Sequence, residues 1–328
     1  MKAIDYIGST LQYSGVRKFA LLEGKAKGME FYRVRNGLGL ELVISLDRCF
    51  DISELNFKGI NCSYLAPCDY VSSQYFNNQG NEFLKSFSAG FLTTCGLRNV
   101  GNPCDDAGES LGLHGTISNT PSTNNYYVEN SEEIILHGTI IDGNIFDSKL
   151  VLEREIRVSK KNNTFKIKDT IENAGDKVEP LCLLYHMNLG YPLLSENSEI
   201  EISSSKVRGR DTLAESEIDK WKDILPPQSQ YKERCYYHCF NSEKYAKIAN
   251  KCLNMELKIK FDDEKLDKFV QWKMFGKRDY VLGFEPGNSL PDGRNIIREQ
   301  GELKYIKPNE RQTFVIDVEL NTIKGDWI

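Results

Sequence analysis

Two of the chain's four histidines stand where an imidazole can meet a ligand. His114 lies in Gly112-Leu113-His114-Gly115, where the flanking glycines let the backbone come close and leave the ring accessible. His186 lies in Leu184-Tyr185-His186-Met187-Asn188-Leu189, a strand-like run that ends at Gly190-Tyr191-Pro192. Strand alternation puts His186 and Asn188 on one face. Glu285 closes the run Tyr280-Val281-Leu282-Gly283-Phe284 and points away from the face shared by Tyr280, Leu282 and Phe284. A carboxylate with a reference pKa near ~4.3 and an imidazole near ~6.5 can be ionised and protonated together close to neutrality. That is the raw material of general acid–base chemistry. The other two histidines, His137 and His238, sit in a turn-like and an aromatic setting and read as structural.

Other reactive side chains read as bland. The nine cysteines are odd in number and scattered, unlike a secreted disulfide framework. Cys235, His238 and Cys239 lack the second paired half of a zinc site, so no metal is expected. Cys95 has no histidine linked to it by spacing, and Arg98 reads as solvated. Phe87, Phe91, Trp272 and Tyr280 include candidates for a ligand-stacking platform, although most aromatics of a β protein belong to its core. A net charge of -5 argues against nucleic acid as a partner. No apolar run reaches the roughly 18 residues of a membrane span, and Met1 to Tyr6 show no signal-peptide pattern. The expectation is a cytoplasmic protein.

The elements that must position these groups are strands. Leu150, Leu152, Arg154, Ile156 and Val158 alternate with Val151, Glu153, Glu155 and Arg157. Phe165, Ile167 and Ile171 continue the period after a short polar turn, which describes half-buried strands. Met255 to Phe261 and Thr313 to Leu320 repeat the pattern, and Asn36-Gly37 suits a two-residue hairpin turn. Short helices are expected over Asp292–Gln300, stopped by Gly301, over Asp262–Phe269, and over Glu215–Trp221. Long loops are expected from Asn99 to Gly112 and from Ser205 to Arg234. The reading is all-β, a single two-sheet domain over residues 1–328, with 1–36 as N-terminal strands.

Leu113-His114-Gly115, Tyr185-His186, and Glu285-Pro286 through Pro291-Asp292-Gly293-Arg294-Asn295 resemble, in order, the motifs of galactose mutarotases (aldose 1-epimerases). Leu46-Asp47-Arg48-Cys49-Phe50-Asp51-Ile52 and Phe91-Leu92-Thr93-Thr94-Cys95-Gly96-Leu97 are similar to aldose-1-epimerase-like proteins of unassigned function. The resemblance runs from Gly37 to the C-terminus. It implies a β-supersandwich of the galactose mutarotase-like type with a sugar in an open groove. His186 matches the general acid toward the ring oxygen, and Glu285 matches the base that takes the anomeric hydroxyl proton. His114, Arg48 and Asn188 are the implied sugar-binding residues. Neither a metal nor an organic cofactor is required, and the partner implied is a small sugar or sugar derivative. The oligomeric state is not legible.

The chain also departs from that pattern. Thr116 stands where mutarotases commonly carry a second glycine, the segment after His186 is one residue shorter, and the mutarotase aspartate that binds hydroxyls has no counterpart. Three readings follow: an aldose 1-epimerase-like isomerase, a carbohydrate-binding protein without catalysis, or another sugar enzyme on the same scaffold. A glycosidase would need a second carboxylate beside Glu285.

Overall fold

The period-two segments become strands with their apolar side chains buried. Leu150, Leu152, Ile156 and Val158 point inward from the strand Lys149–Ser159, in a computed structural model that describes residues 3–261 and 264–323. Thr164–Asn173, Met255–Lys260 and Arg311–Thr322 behave alike. These four belong to an eight-stranded sheet that runs from Ser122–Glu129 at one edge to Ser198–Ile202 at the other. A six-stranded sheet orders Lys206–Gly209, Arg234–Cys239, Lys268–Phe275, Tyr280–Gly287, Cys182–Leu189 and Leu92–Leu97. A five-stranded sheet is built from residues 15–61. All the paired strands are antiparallel where described, and one apolar core draws side chains from all three sheets. The architecture is the expected open, mostly β sandwich.

Local departures have local causes. Strands Glu30–Arg35 and Leu40–Ser45 do pair, but through a four-residue connection instead of two. Asn36 explains it: its side-chain oxygen accepts from the amides of Leu38 and Leu40, closing a wider loop. The helix near the C-terminus spans Arg294–Glu299, with Gly301 beyond it at φ +73°. The helix expected over Glu215–Trp221 begins earlier, at Thr212–Ser216, because the Asp211 carboxylate caps the amide of Ala214. A short 3₁₀ turn, Ile218–Lys220, follows. No helix forms over the described part of Asp262–Phe269, where strand Lys268–Phe275 begins; Asp262 and Asp263 lie outside the described residues. Both expected long loops carry short strands, Cys104–Asp106 with Glu109–Leu111 in one and Lys206–Gly209 in the other.

The two large sheets are tied by charge as well as by apolar packing. Arg154, fully buried, donates to both oxygens of Asp169, at 2.8 and 2.6 Å, and also to Asp51, Thr94 and the carbonyl of Cys49. Tyr185 adds its hydroxyl to Asp169 at 2.9 Å. Burial pushes the Asp51 carboxyl up to about 6, against the pull of Arg154 and Thr94. Arg154→Met leaves two buried carboxylates without their guanidinium, and loss of one partner of such a group costs about 3–5 kcal/mol. Urea denaturation near pH 7 should show a loss of that order, whereas a change under 1 kcal/mol would contradict it.

Candidate active site

His186 and Glu285 come from neighbouring strands of the six-stranded sheet. The antiparallel register pairs Leu184 with Gly287 and Met187 with Phe284, which sets His186 across from Glu285. Alternation sends Tyr185 to the core, so His186 faces the other way. The two groups meet there, with His186 Nε2 3.4 Å from Glu285 Oε1. Gly283 makes room for the carboxylate, since a Cβ there would sit 2.4 Å from Glu285 Oε1 and 3.0 Å from Trp272 Cβ.

His114 arrives from a loop. Its backbone is left-handed, φ +59°, and its amide donates to Gly101 O at 2.9 Å. The amide of Gly101 donates to His114 Nδ1 at 3.2 Å, so a neutral His114 carries its proton on Nε2. Gly101 is itself locked against the Pro291 segment: a Cβ at its φ of +74° would lie 2.0 Å from Pro291 O. The motif around Pro291 thus holds the His114 loop. The two imidazoles end 5.7 Å apart, ring centre to ring centre.

Aromatic and charged walls complete a cleft of about 280 Å³. Phe87 and Trp272 flank the His186 ring at 5.4 and 5.2 Å, and Phe83 lies against His114 at 5.3 Å. Arg210 and Glu233 line the rim, 2.7 Å apart, and Trp272 Nε1 donates to the other Glu233 oxygen at 2.9 Å. Neither Arg210 nor Glu233 is singled out by the sequence. Both lie in the charged stretch read as a loop, and only the sheet-bound folding of that stretch brings them to the cleft. Of the aromatic candidates, Phe87 and Trp272 line the cleft, whereas Phe91 and Tyr280 pack in the core.

A family model described as a domain of unknown function, DUF4432, matches residues 26–320. The chain belongs to the DUF4432 family. No curated protein matches it. Among solved structures, it is similar to a Klebsiella pneumoniae protein provisionally assigned as an aldose 1-epimerase, with TM-score 0.87 and 23% identity over 93% of this chain and 83% of that one. A galactose mutarotase-like protein from Clostridium acetobutylicum aligns with TM-score 0.68 and 16% identity, over 95% and 99%. A galactose 1-epimerase from Lactobacillus acidophilus gives 0.62 and 14%, over 94% and 99%. These likenesses show the fold, that of the mutarotase-like sandwiches.

In this DUF4432 chain burial dominates the electrostatics of the site. It raises Glu285 well above the usual carboxylate range; Arg210 opposes that shift and Glu233 adds to it. Burial lowers His186 to about 3, helped by His114, and lowers His114 to about 4. A pair with ordinary pKa values would be ionic at mildly acidic pH; this one is pushed toward its neutral form. Glu285 Oε1 and His186 Nδ1 have no hydrogen-bond partner within the protein.

Arg48 and Asn188 do not line this cleft. The Arg48 guanidinium donates to the carbonyls of Ser118, Val71 and Ser86, at 2.8, 2.8 and 2.9 Å, and so ties together three segments distant in sequence. Asn188 is fully buried, with Nδ2 bonded to His186 O at 2.9 Å. Arg98 is ion-paired with Glu109, Asp147 and Glu179 instead of being solvated. His238 is held between Ser204 and Gln271.

The Glu285 shift has a signed consequence for stability. A carboxyl whose folded pKa is raised contributes stability fully below its unfolded value of 4.5, and that stability is lost as pH climbs toward the folded value. Glu285→Gln, uncharged throughout, should therefore be more resistant to urea than the parent at pH 8, with the gap closing toward pH 4.5. An equal gap at both pH values would refute the raised pKa.

Proposed function

We propose that this chain binds an uncharged monosaccharide in the cleft and interconverts its anomers by proton transfer through Glu285 and His186. The observation that carries the reading is the 3.4 Å approach of the two groups beside His114 in a cleft walled by aromatic rings. The cavity is near the small end of ligand pockets, which span roughly 300–1,000 Å³. Arg210, the cation among the described lining residues, is already engaged by Glu233, which favours a neutral sugar over a phosphorylated or oxidised one. The faces of Phe87 and Trp272 suit pyranose C–H groups. His114 Nε2–H is a donor for a sugar hydroxyl.

The proton balance closes on these residues. Glu285 carboxylate takes the proton from O1 while His186 imidazolium gives one to the ring oxygen. The bond from C1 to the ring oxygen breaks, and C1 and O1 become the aldehyde. Rotation about C1–C2 and the reverse transfers close the ring on the other face. Ring opening thus converts an ionic pair into a neutral one. A desolvated cleft favours neutral groups, so the resting pair reaches its ionic form by passing one proton from Glu285 to His186 before the ring opens, and returns to the neutral form as it opens.

Magnetisation-transfer NMR on neutral aldoses, hexose 6-phosphates and uronates tests this. Exchange above buffer is expected with a neutral aldose, and absence of exchange with every sugar would reject the proposal. Glu285→Gln and His186→Gln should each lose about 10²–10⁴-fold in kcat, the contribution of one positioned acid or base. The singly protonated pair extends from about pH 3, set by His186, up to the raised value of Glu285. Accordingly the acid limb of kcat/KM should lie near pH 3, with no rise between pH 4 and 5. A rise through about 4.3, as for an exposed carboxylate, would contradict the shifts.

A further inference from the structure

We propose that Asn188 is a positioning residue that fixes the proton of neutral His186 on Nδ1 and leaves Nε2 bare toward Glu285. The role of that tautomer in catalysis rests on the anomer-exchange reading above; the tautomer itself does not.

Two complementary polar atoms in this corner lack partners. Asn188 Oδ1, an acceptor, and His186 Nδ1 are both without a hydrogen bond, on residues 0% and 5% exposed. A buried unpaired group of this kind costs about 1–3 kcal/mol, so two complementary ones on one strand face gain by meeting. The bond from Asn188 Nδ2 to His186 O identifies the amide nitrogen and leaves the oxygen as the free end. Residues i and i+2 of a strand share a face, which places that oxygen beside the ring of His186. The Asn188 side chain also raises the proton affinity of His186, against the lowering by burial and His114. An acceptor on the Nδ1 side has that effect.

The consequence is directional. With Nδ1–H held by Asn188, the lone pair of neutral His186 is on Nε2, the atom 3.4 Å from Glu285 Oε1. The proton that travels within the pair then moves between that oxygen and Nε2, and the imidazolium keeps Asn188 as acceptor for its second N–H. His114 has the opposite tautomer, set by the amide of Gly101. Gly283, opposite Asn188 in the ladder, has no side chain to push the amide aside.

Long-range ¹H–¹⁵N spectra of the full-length protein with labelled histidine, at pH 7 and without sugar, read the tautomer directly. The His186 signals are assigned by their loss in His186→Gln. The expected wild-type pattern is protonated Nδ1 with bare Nε2; a protonated Nε2 overturns the proposal with no Asn188 variant needed. Asn188→Asp, which keeps the acceptor, should retain Nδ1–H. Asn188→Leu should shift the proton to Nε2 or average it, and lower kcat by about 10²–10⁴-fold with KM unmoved. Retention of the Nδ1–H pattern in Asn188→Leu overturns the proposal. The expected tautomers in a protein without anomer exchange would uphold the positioning role and reject only the proposed reaction.

Discussion

Arg154 carries a charge into the space between the two large sheets, and the position of His186 depends on how that charge is satisfied. Its guanidinium gathers Asp169 from its own sheet, Thr94 from the facing sheet and Asp51 from the turn before the strand Ile52–Phe57. Tyr185 joins through Asp169. Thr94 and Tyr185 are paired in the ladder, and their neighbours Thr93 and His186 are paired as well. The network therefore clamps the inner face at one residue of each strand and, through the pleat, fixes the outer face at the next. Apolar packing alone would hold the sheets together but tolerate sliding. Directional bonds to buried charges penalise a slip, because each broken bond strands a charge away from water.

On the outer face, burial is used in the opposite sense. The interior network matches charge with charge, whereas the cleft leaves a carboxyl and an imidazole incompletely bonded. Each is pushed toward neutrality, Glu285 upward and His186 downward. The arrangement costs stability, as unpaired buried polar groups do. It leaves one proton to be shared between Glu285 and His186. Arg210 and Glu233 at the rim contribute fields of opposite sign to Glu285 and to His114. Their mutual ion pair keeps the net field small, so desolvation outweighs it at both groups.

What was legible in the sequence follows from how local each feature is. Period-two runs such as Leu150 to Val158 and Met255 to Lys260 are local and became strands. The convergence of His114, His186 and Glu285 is legible because each sits in a compact motif, and the motifs keep their order along the chain. Arg210 and Glu233 were not, because nothing local separates them from other charges in their stretch. They matter through the pairing of Lys206–Gly209 with Arg234–Cys239. Arg48 misled for the converse reason: an arginine beside a family-like motif resembles a ligand-binding group, while its three backbone acceptors come from residues 23 to 70 positions away. Alternation puts Asn188 on the face of His186, but the hydrogen bond of its amide to His186 O is invisible to alternation.

Two histidines 5.7 Å apart raise the question of which one carries a positive charge when the site holds an extra proton. Both cannot, since each penalises the other in a desolvated cleft. Protonating His114 on Nδ1 would set two N–H donors face to face, its own and that of Gly101, and forfeit the bond that holds the loop. Protonating His186 on Nε2 forfeits nothing of that kind and gives Glu285 Oε1 a cationic partner at 3.4 Å. The charge therefore belongs to His186, although burial lowers it to about 3 and His114 only to about 4. Desolvation is the largest cause of both shifts; a carboxylate at Glu285, 3.4 Å from His186 Nε2, favours the extra proton there. The asymmetry is built from backbone: one glycine amide aimed at one imidazole nitrogen disfavours a second proton on His114 and leaves Nε2 of His186 the freer position.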